Sequence, residues 1–331
     1  MTVTKRISAL ALILIMMISI IPVTVFAGSD KNGWQKEGDY WYYYRDNEKV
    51  TNDWIKDGGK WYYLSEDGSM AVDQAVADSK TGKFYIVDKS GAMVTKAGWV
   101  KVVDNGNGST LWYYLKKGGE AVKGWKKLSS KWYYFSGDSA VMVSSISYPD
   151  GYMIGNKMYF FNKDGSMKTK CWIEDSDGFW YYVGKNGEAV TGWQKIGKKW
   201  YCFFESGRMM YKDWVEEPEG SGNWYYLGED GVMVVDSLVN SLGELYYQGK
   251  DGRGIAGWKK VDGNWYYFNP DKQGAAVKDC TIQIGSMWYT FDSNCICTNP
   301  EGSSEEPAPA PATASATSKP IELPFVPADA L

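Results

Sequence analysis

The most regular feature of the chain is an aromatic triplet that returns every 20 to 28 residues. It reads Trp41-Tyr42-Tyr43, Trp61-Tyr62-Tyr63, Phe84-Tyr85-Ile86, Trp112-Tyr113-Tyr114, Trp132-Tyr133-Tyr134 and Met158-Tyr159-Phe160. It continues with Trp180-Tyr181-Tyr182, Trp200-Tyr201-Cys202, Trp224-Tyr225-Tyr226, Leu245-Tyr246-Tyr247, Trp265-Tyr266-Tyr267 and Trp288-Tyr289-Thr290. The middle position is tyrosine in all twelve. In the unit from Lys60 to Ala71, this β-prone run meets a turn ending in Asp67-Gly68 and then a short second strand, which is the signature of a β-hairpin. Equivalent turns recur at Ser90-Gly91, Asp164-Gly165, Asn186-Gly187, Ser206-Gly207, Asp230-Gly231 and Asp251-Gly252, where glycine supplies the positive φ of a tight turn. A lone hairpin is marginal in water. The pattern therefore predicts an all-β fold, a β-solenoid of about twelve stacked β-hairpin repeats in which each unit touches mainly the next.

A second tryptophan, often after glycine, precedes most triplets: Trp34, Trp54, Trp99, Trp125, Trp172, Trp193, Trp214 and Trp258. These eight and the nine in triplets account for all 17. Along a strand the first and third residues of a triplet share one face and the middle tyrosine takes the other. If hairpins stack in order, two tryptophans of one unit meet the middle tyrosine of the next and form an aromatic box. Such a box suits a quaternary ammonium, drawn by ring quadrupoles at roughly 0.5 to 2 kcal/mol per contact. It also suits the C–H face of a sugar, whose hydroxyls then seek polar side chains.

Composition narrows the chemistry. Aromatic residues make up 16% of the 331, with 37 glycines and no histidine. Without histidine, Ser-His-Asp and Cys-His nucleophile systems and His-ligated zinc are excluded. The aspartates and glutamates fall mainly in turns such as Asp67, Asp164 and Asp230, a placement that turn formation explains. The repeats leave no segment of about 100 residues for a catalytic domain. The expectation is a protein without enzymatic activity, cofactor or metal.

The ends read differently from the repeats. Lys5 and Arg6, the apolar run Ile7 through Ile21 and Val25-Phe26-Ala27 form an export signal with cleavage after Ala27. About 15 apolar residues fall short of the roughly 20 that cross a bilayer, and the mature chain is expected to carry no membrane span. Removing Lys5 and Arg6 takes the net charge from −4 to −6, which argues against nucleic acid as a partner. The expected organisation is a signal over 1–27, the repeats over 28–298 and a disordered tail over 299–331, which holds 7 of the 11 prolines.

The order Gly-Trp, a short polar stretch, Trp-Tyr-Tyr, a glycine turn and then methionine, as in Gly192-Trp193 through Trp200-Tyr201 to Met209, resembles the choline-binding or cell-wall-binding repeat. Related repeats occur in glucan-binding domains of glucosyltransferases and in receptor domains of clostridial toxins. The resemblance covers about Gly33 to Thr298. It implies a left-handed β-solenoid with ligand sites at the junctions, each built from two tryptophans of one repeat and the middle tyrosine of the next, often with a methionine as fourth wall. Carried onto this chain, the sites are Trp34, Trp41 and Tyr62; Trp54, Trp61 and Tyr85; Trp99, Trp112 and Tyr133; and Trp125, Trp132 and Tyr159. Four more are Trp172, Trp180 and Tyr201; Trp193, Trp200 and Tyr225; Trp214, Trp224 and Tyr246; and Trp258, Trp265 and Tyr289. The implied function is a secreted protein of the Gram-positive cell surface that holds choline-decorated teichoic acid, or another wall polysaccharide, through several weak sites acting together. The alternative is adhesion to a glucan or a host glycan.

Departures from the repeat mark four junctions as spacers, with Gln74, Ile146, Ser237 and Cys280 read at the place of the first tryptophan. Insertions at Asp104 to Thr110 and Glu217 to Gly222 threaten to displace one wall of a box. Of the five cysteines, Cys171 and Cys202 stand within repeats, and Cys280, Cys295 and Cys297 gather at the last. A disulfide from Cys280 to Cys295 or Cys297 is one way to staple a terminal hairpin that has no successor.

Overall fold

The computed structural model describes residues 31–104 and 106–306. The expected export signal and residues 307–331 of the expected tail lie outside the described residues. Two compact units divide the chain, one ending at Val143 and the other beginning at Ser144. Both are built from antiparallel hairpins, and one 3-10 turn, Pro270–Lys272, is the helical element among the described residues.

The first unit holds five hairpins. They pair Gly33–Glu37 with Tyr40–Arg45, Asp53–Asp57 with Lys60–Leu64, Gln74–Asp78 with Lys83–Val87, Gly98–Val103 with Thr110–Leu115, and Gly124–Leu128 with Lys131–Phe135. The second holds seven, from Tyr152–Ile154 with Lys157–Tyr159 to Cys280–Ile284 with Met287–Phe291. Each hairpin therefore joins the strand of the first tryptophan to the strand of the triplet. This corrects the expected hairpin in one respect. A second strand follows the triplet at Glu48–Lys49 and at Ala275–Ala276, but the Asp-Gly turns elsewhere lead to a strap that makes isolated bridges, such as Leu64 with Met70 or Phe203 with Met209.

The strap is what joins one repeat to the next. Ala71 N donates to Tyr63 O of its own hairpin at 2.9 Å, while Met70 N donates to Trp41 O of the preceding hairpin at 2.7 Å. The second bond recurs from Met93 to Trp61, Ala121 to Phe84 and Met142 to Trp112 in the first unit. In the second unit it runs from Ala189 to Met158, Met209 to Trp180, Met233 to Trp200, Gly254 to Trp224 and Cys297 to Trp265. A strap this short cannot extend as a ladder, because its amides serve two hairpins alternately. Glycine in the turn has a second duty here. A Cβ on Gly231, whose φ is +71°, would sit 2.5 Å from Sδ of Met209 in the preceding repeat.

Most repeats bury a large apolar residue directly after the triplet, among other buried residues of the hairpin. Leu64, Leu115, Phe135, Phe203, Leu227 and Phe268 follow their triplets and are at most 2% exposed. Both insertions are extruded at hairpin tips and leave the register intact, with Lys101 opposite Trp112 and Glu216 opposite Trp224. The walls they threatened stay in place. No helix among the described residues is long and apolar enough to cross a membrane.

The last repeat corrects two expectations. Its cysteines are free thiols. Cys295 occupies the turn position that glycine fills elsewhere, with φ +64°, and packs with Tyr247, Tyr266 and Phe268. Cys297 faces a different cluster, with Phe291 and Val277, and Cys280 is exposed. The staple is instead main chain: Ser303 exchanges hydrogen bonds of 2.8 and 2.9 Å with Trp288, so regular pairing continues past Thr298 into residues first assigned to the tail.

Candidate functional site

Cross-strand register sets the tryptophans. Trp34 lies opposite Tyr43, Trp54 opposite Tyr63 and Trp172 opposite Tyr182, so the first tryptophan shares a face with the third triplet residue. Their rings meet edge-on at 5.2, 5.1 and 5.2 Å. This third tyrosine, absent from the sequence reading of the box, orients the indole. At Trp193 it is replaced by Cys202.

The same indole then reaches the next hairpin. In the first unit Trp34 meets Tyr62 at 5.3 Å, Trp54 meets Tyr85 at 5.3 Å and Trp99 meets Tyr133 at 5.2 Å. In the second, Trp172 meets Tyr201 at 4.9 Å, Trp193 meets Tyr225 at 5.4 Å, Trp214 meets Tyr246 at 4.8 Å and Trp258 meets Tyr289 at 4.7 Å. The triplet tryptophan stands across a gap, 6.2 to 6.4 Å away in the pairs Trp99 with Trp112, Trp172 with Trp180 and Trp258 with Trp265. Seven of the eight expected boxes thus have their first tryptophan and tyrosine in contact. In the eighth, Trp125 and Trp132 belong to the first unit, 6.4 Å apart. Its expected Tyr159 belongs to the second, where its hydroxyl hydrogen-bonds Glu188 at 3.2 Å.

Two boxes in the second unit open into sizeable clefts. One, of about 550 Å³, is lined by Trp172, Trp180, Tyr201, Met209, Glu229 and Asp230. The next, of about 370 Å³, is lined by Trp193, Trp200, Tyr225, Met233, Glu217 and Asp251. Glu217 comes from the inserted loop. Lys212 and Arg253 pair with Glu229 and Asp251 at 2.9 and 2.6 Å, which offsets part of the negative field. The ring chemistry is already used within the chain: Tyr42, a middle tyrosine with no described hairpin before it, carries the Lys49 ammonium 3.4 Å above its ring.

Residues 190–237 and 255–294 match the choline-binding repeat, residues 48–93 match a second form of it, and 32–49 and 123–138 match the cell wall binding repeat. This chain belongs to the choline-binding repeat family. Glucosyltransferase-I of Streptococcus downei is 32% identical over 225 residues, which are 67% of this chain and 13% of that protein. Glucosyltransferase-S of Streptococcus mutans is 28% identical over 65% of this chain and 12% of its own length. The chain thus spans about an eighth of these relatives. The crystal structure of choline binding protein F from Streptococcus pneumoniae, determined in the presence of a tetrasaccharide-pentapeptide peptidoglycan analogue, shares the fold. It matches at a TM-score of 0.55 and 22% identity, over 82% of this chain and 99% of that one.

The register of the choline-binding repeats corrects the spacer residues by position. The residue opposite the third triplet position is Ala75 rather than Gln74, Leu238 rather than Ser237 and Thr281 rather than Cys280. In the sixth hairpin Tyr152 pairs with Tyr159, which puts Gly151 opposite Phe160 and leaves Ile146 outside the strand, 75% exposed. The strap follows the same division except at Gly254 and Cys297, which serve Trp224 and Trp265. It offers Met70, Met93, Met142, Met209 and Met233 to repeats with a tryptophan pair, but Ala121 and Ala189 to Phe84 and Met158.

Spacers also bury the tyrosine that would face them. Tyr113, Tyr181 and Tyr266 are 3%, 4% and 7% exposed. Burial, with a smaller contribution from the Asp104 charge, pushes the Tyr113 hydroxyl up to about 12. A hydroxyl held neutral in the folded state contributes stability that is complete below the unfolded tyrosine value near 10 and is lost as pH rises from there toward 12. The loss is roughly 2 to 3 kcal/mol. Denaturant midpoints from pH 9 to 12 should therefore fall further for the wild type than for Tyr113→Phe, and equal slopes would refute the assignment.

Proposed function

We propose that this chain is an exported, non-catalytic protein of the cell surface that holds the bacterial wall by recognising choline groups of teichoic acid in the cages between its repeats. In this reading the hairpins wind as a solenoid. The observation that carries it is the recurring set of a propped tryptophan, an open triplet tryptophan, the next tyrosine and a methionine. A trimethylammonium head needs ring faces and no hydrogen-bond donor, and the carboxylates at the Trp172 and Trp193 cages favour a cation. Each cage alone is weak; several on one chain hold a repeating polymer by effective concentration.

The test is retention of residues 28–331 on a tertiary-amine resin that mimics choline, with elution by free choline and a parallel column of immobilised dextran. Retention released by choline, and weakened in a Trp193→Ala, Trp200→Ala variant, is the expected result. Passage through the amine resin with binding to dextran would sink the choline assignment. A glycan reading has support of its own in the glucosyltransferase relatives and in one cage whose lining differs from the others.

A further inference from the structure

The junction after Trp214 departs from the cages of Trp172 and Trp193 in three ways. Its strap residue is Gly254, so the methionine wall is missing. Its cleft, about 270 Å³, is lined by Trp214, Trp224, Tyr246, Gly254, Pro270 and Gln273 among others, with no carboxylate. Beneath it, at the core position that other repeats fill with Leu64, Leu115, Phe203 or Leu227, stands Gln248.

Gln248 is 0% exposed, and neither Nε2 nor Oε1 has a hydrogen-bond partner. An unpaired buried amide is costly, and native proteins rarely keep one without a use for it. The missing side chain at 254 leaves only a glycine between the buried amide and the cleft. A Cβ on Gly254 would stand 3.7 Å from Gln248 Nε2 and 3.5 Å from Trp224 O, so the amide lies directly behind the glycine that lines the cleft. The 3-10 turn Pro270–Lys272 brings a second amide, Gln273, into the lining of the cleft.

We propose that this junction takes a neutral, hydroxyl-bearing ligand, a saccharide ring, in place of a cationic head group. Trp214 and Tyr246, 4.8 Å apart, and Trp224 offer faces for the C–H surface of the ring. Gln248, which can donate and accept at once, lies behind Gly254 and meets a hydroxyl or acetamido group when the side-chain-free strap there shifts aside. A trimethylammonium head satisfies neither amide atom, and this cleft has no counterpart to the Glu217 and Asp251 pair of its neighbour. The inference rests on the reading of the junctions as ligand sites and deepens it, giving one chain both a cation-binding and a saccharide-binding class of junction.

The full mature chain, Gln248→Leu and Gly254→Met are titrated calorimetrically with isomaltotriose, N,N′,N″-triacetylchitotriose and choline. Leucine is the native residue at this position in three other repeats, so Gln248→Leu folds; its ligand-free Tm should rise by about 3 °C. The same change should weaken saccharide binding at least about tenfold, equivalent to about 1.4 kcal/mol, and leave choline binding unaltered. Gly254→Met should abolish saccharide binding and add one bound choline. Whichever trisaccharide binds identifies a glucan or an N-acetylated wall glycan as the source. Binding of neither by the wild type, or saccharide affinity unchanged in Gln248→Leu, overturns the proposal. Saccharide binding with no choline binding in any sample would instead overturn the choline reading and leave this one standing.

Discussion

Replacing Phe203 with alanine is expected to destabilise the second unit by about 3 to 5 kcal/mol and to lower its Tm by roughly 10 °C. Phe203 is 2% exposed, and its ring lies 5.9 Å from Trp172 at an interplanar angle of 32°. Truncating a ring buried this completely leaves a cavity behind Trp172, which sets the size of the cost. The cage of Trp172 should fail with it, because the indole loses the surface behind it. Phe203→Leu is the control. Leu64, Leu115 and Leu227 hold the same place elsewhere, and this exchange should cost less than about 1.5 kcal/mol. Thermal unfolding of the two variants checks the result; equal losses would mean that the cavity does not set the cost.

Trp180→Ala should give the opposite outcome, a functional loss with little change in stability. Trp180 is 39% exposed and faces Trp172 across a 6.4 Å gap. Its removal takes one wall from the cage without uncovering the core, so Tm should move by no more than about 2 °C. Affinity at that cage should fall about tenfold, the loss of one good cation–π contact. In a calorimetric titration with choline the bound equivalents per chain drop by one; an unchanged number would remove Trp180 from the site. The partner exchange, Trp172→Ala, should lose binding and stability together, since Trp172 also packs on Tyr182 at 5.2 Å and on Phe203.

The sequence made the repeat, the hairpins and the meeting of one repeat's tryptophan with the next repeat's tyrosine legible, because alternation along a strand decides which faces the rings share. It did not reveal which strands pair. The Asp-Gly turns suggested a hairpin on the wrong side of the triplet, since a turn signal is local while the strap is claimed by the preceding repeat through its carbonyl. The spacer residues were misplaced for a related reason. Counting along the chain cannot find the residue opposite Ile86 or Phe160 when insertions shift the spacing, whereas register can. Gln248 carried a signal that went unused: it is an amide at a position where Leu, Val, Phe or, once, Tyr44 otherwise follows the triplet.

The bond from strap amide to preceding carbonyl uses main-chain atoms alone, whatever side chains flank it. This docking bond therefore does not depend on the side chains of the repeat that precedes it. The cage is out of phase with the repeat. Its two tryptophans come from one repeat and its tyrosine and strap residue from the next. The specificity of a cage such as that of Trp214 with Gly254 is therefore set at the seam between two repeats, not within either one.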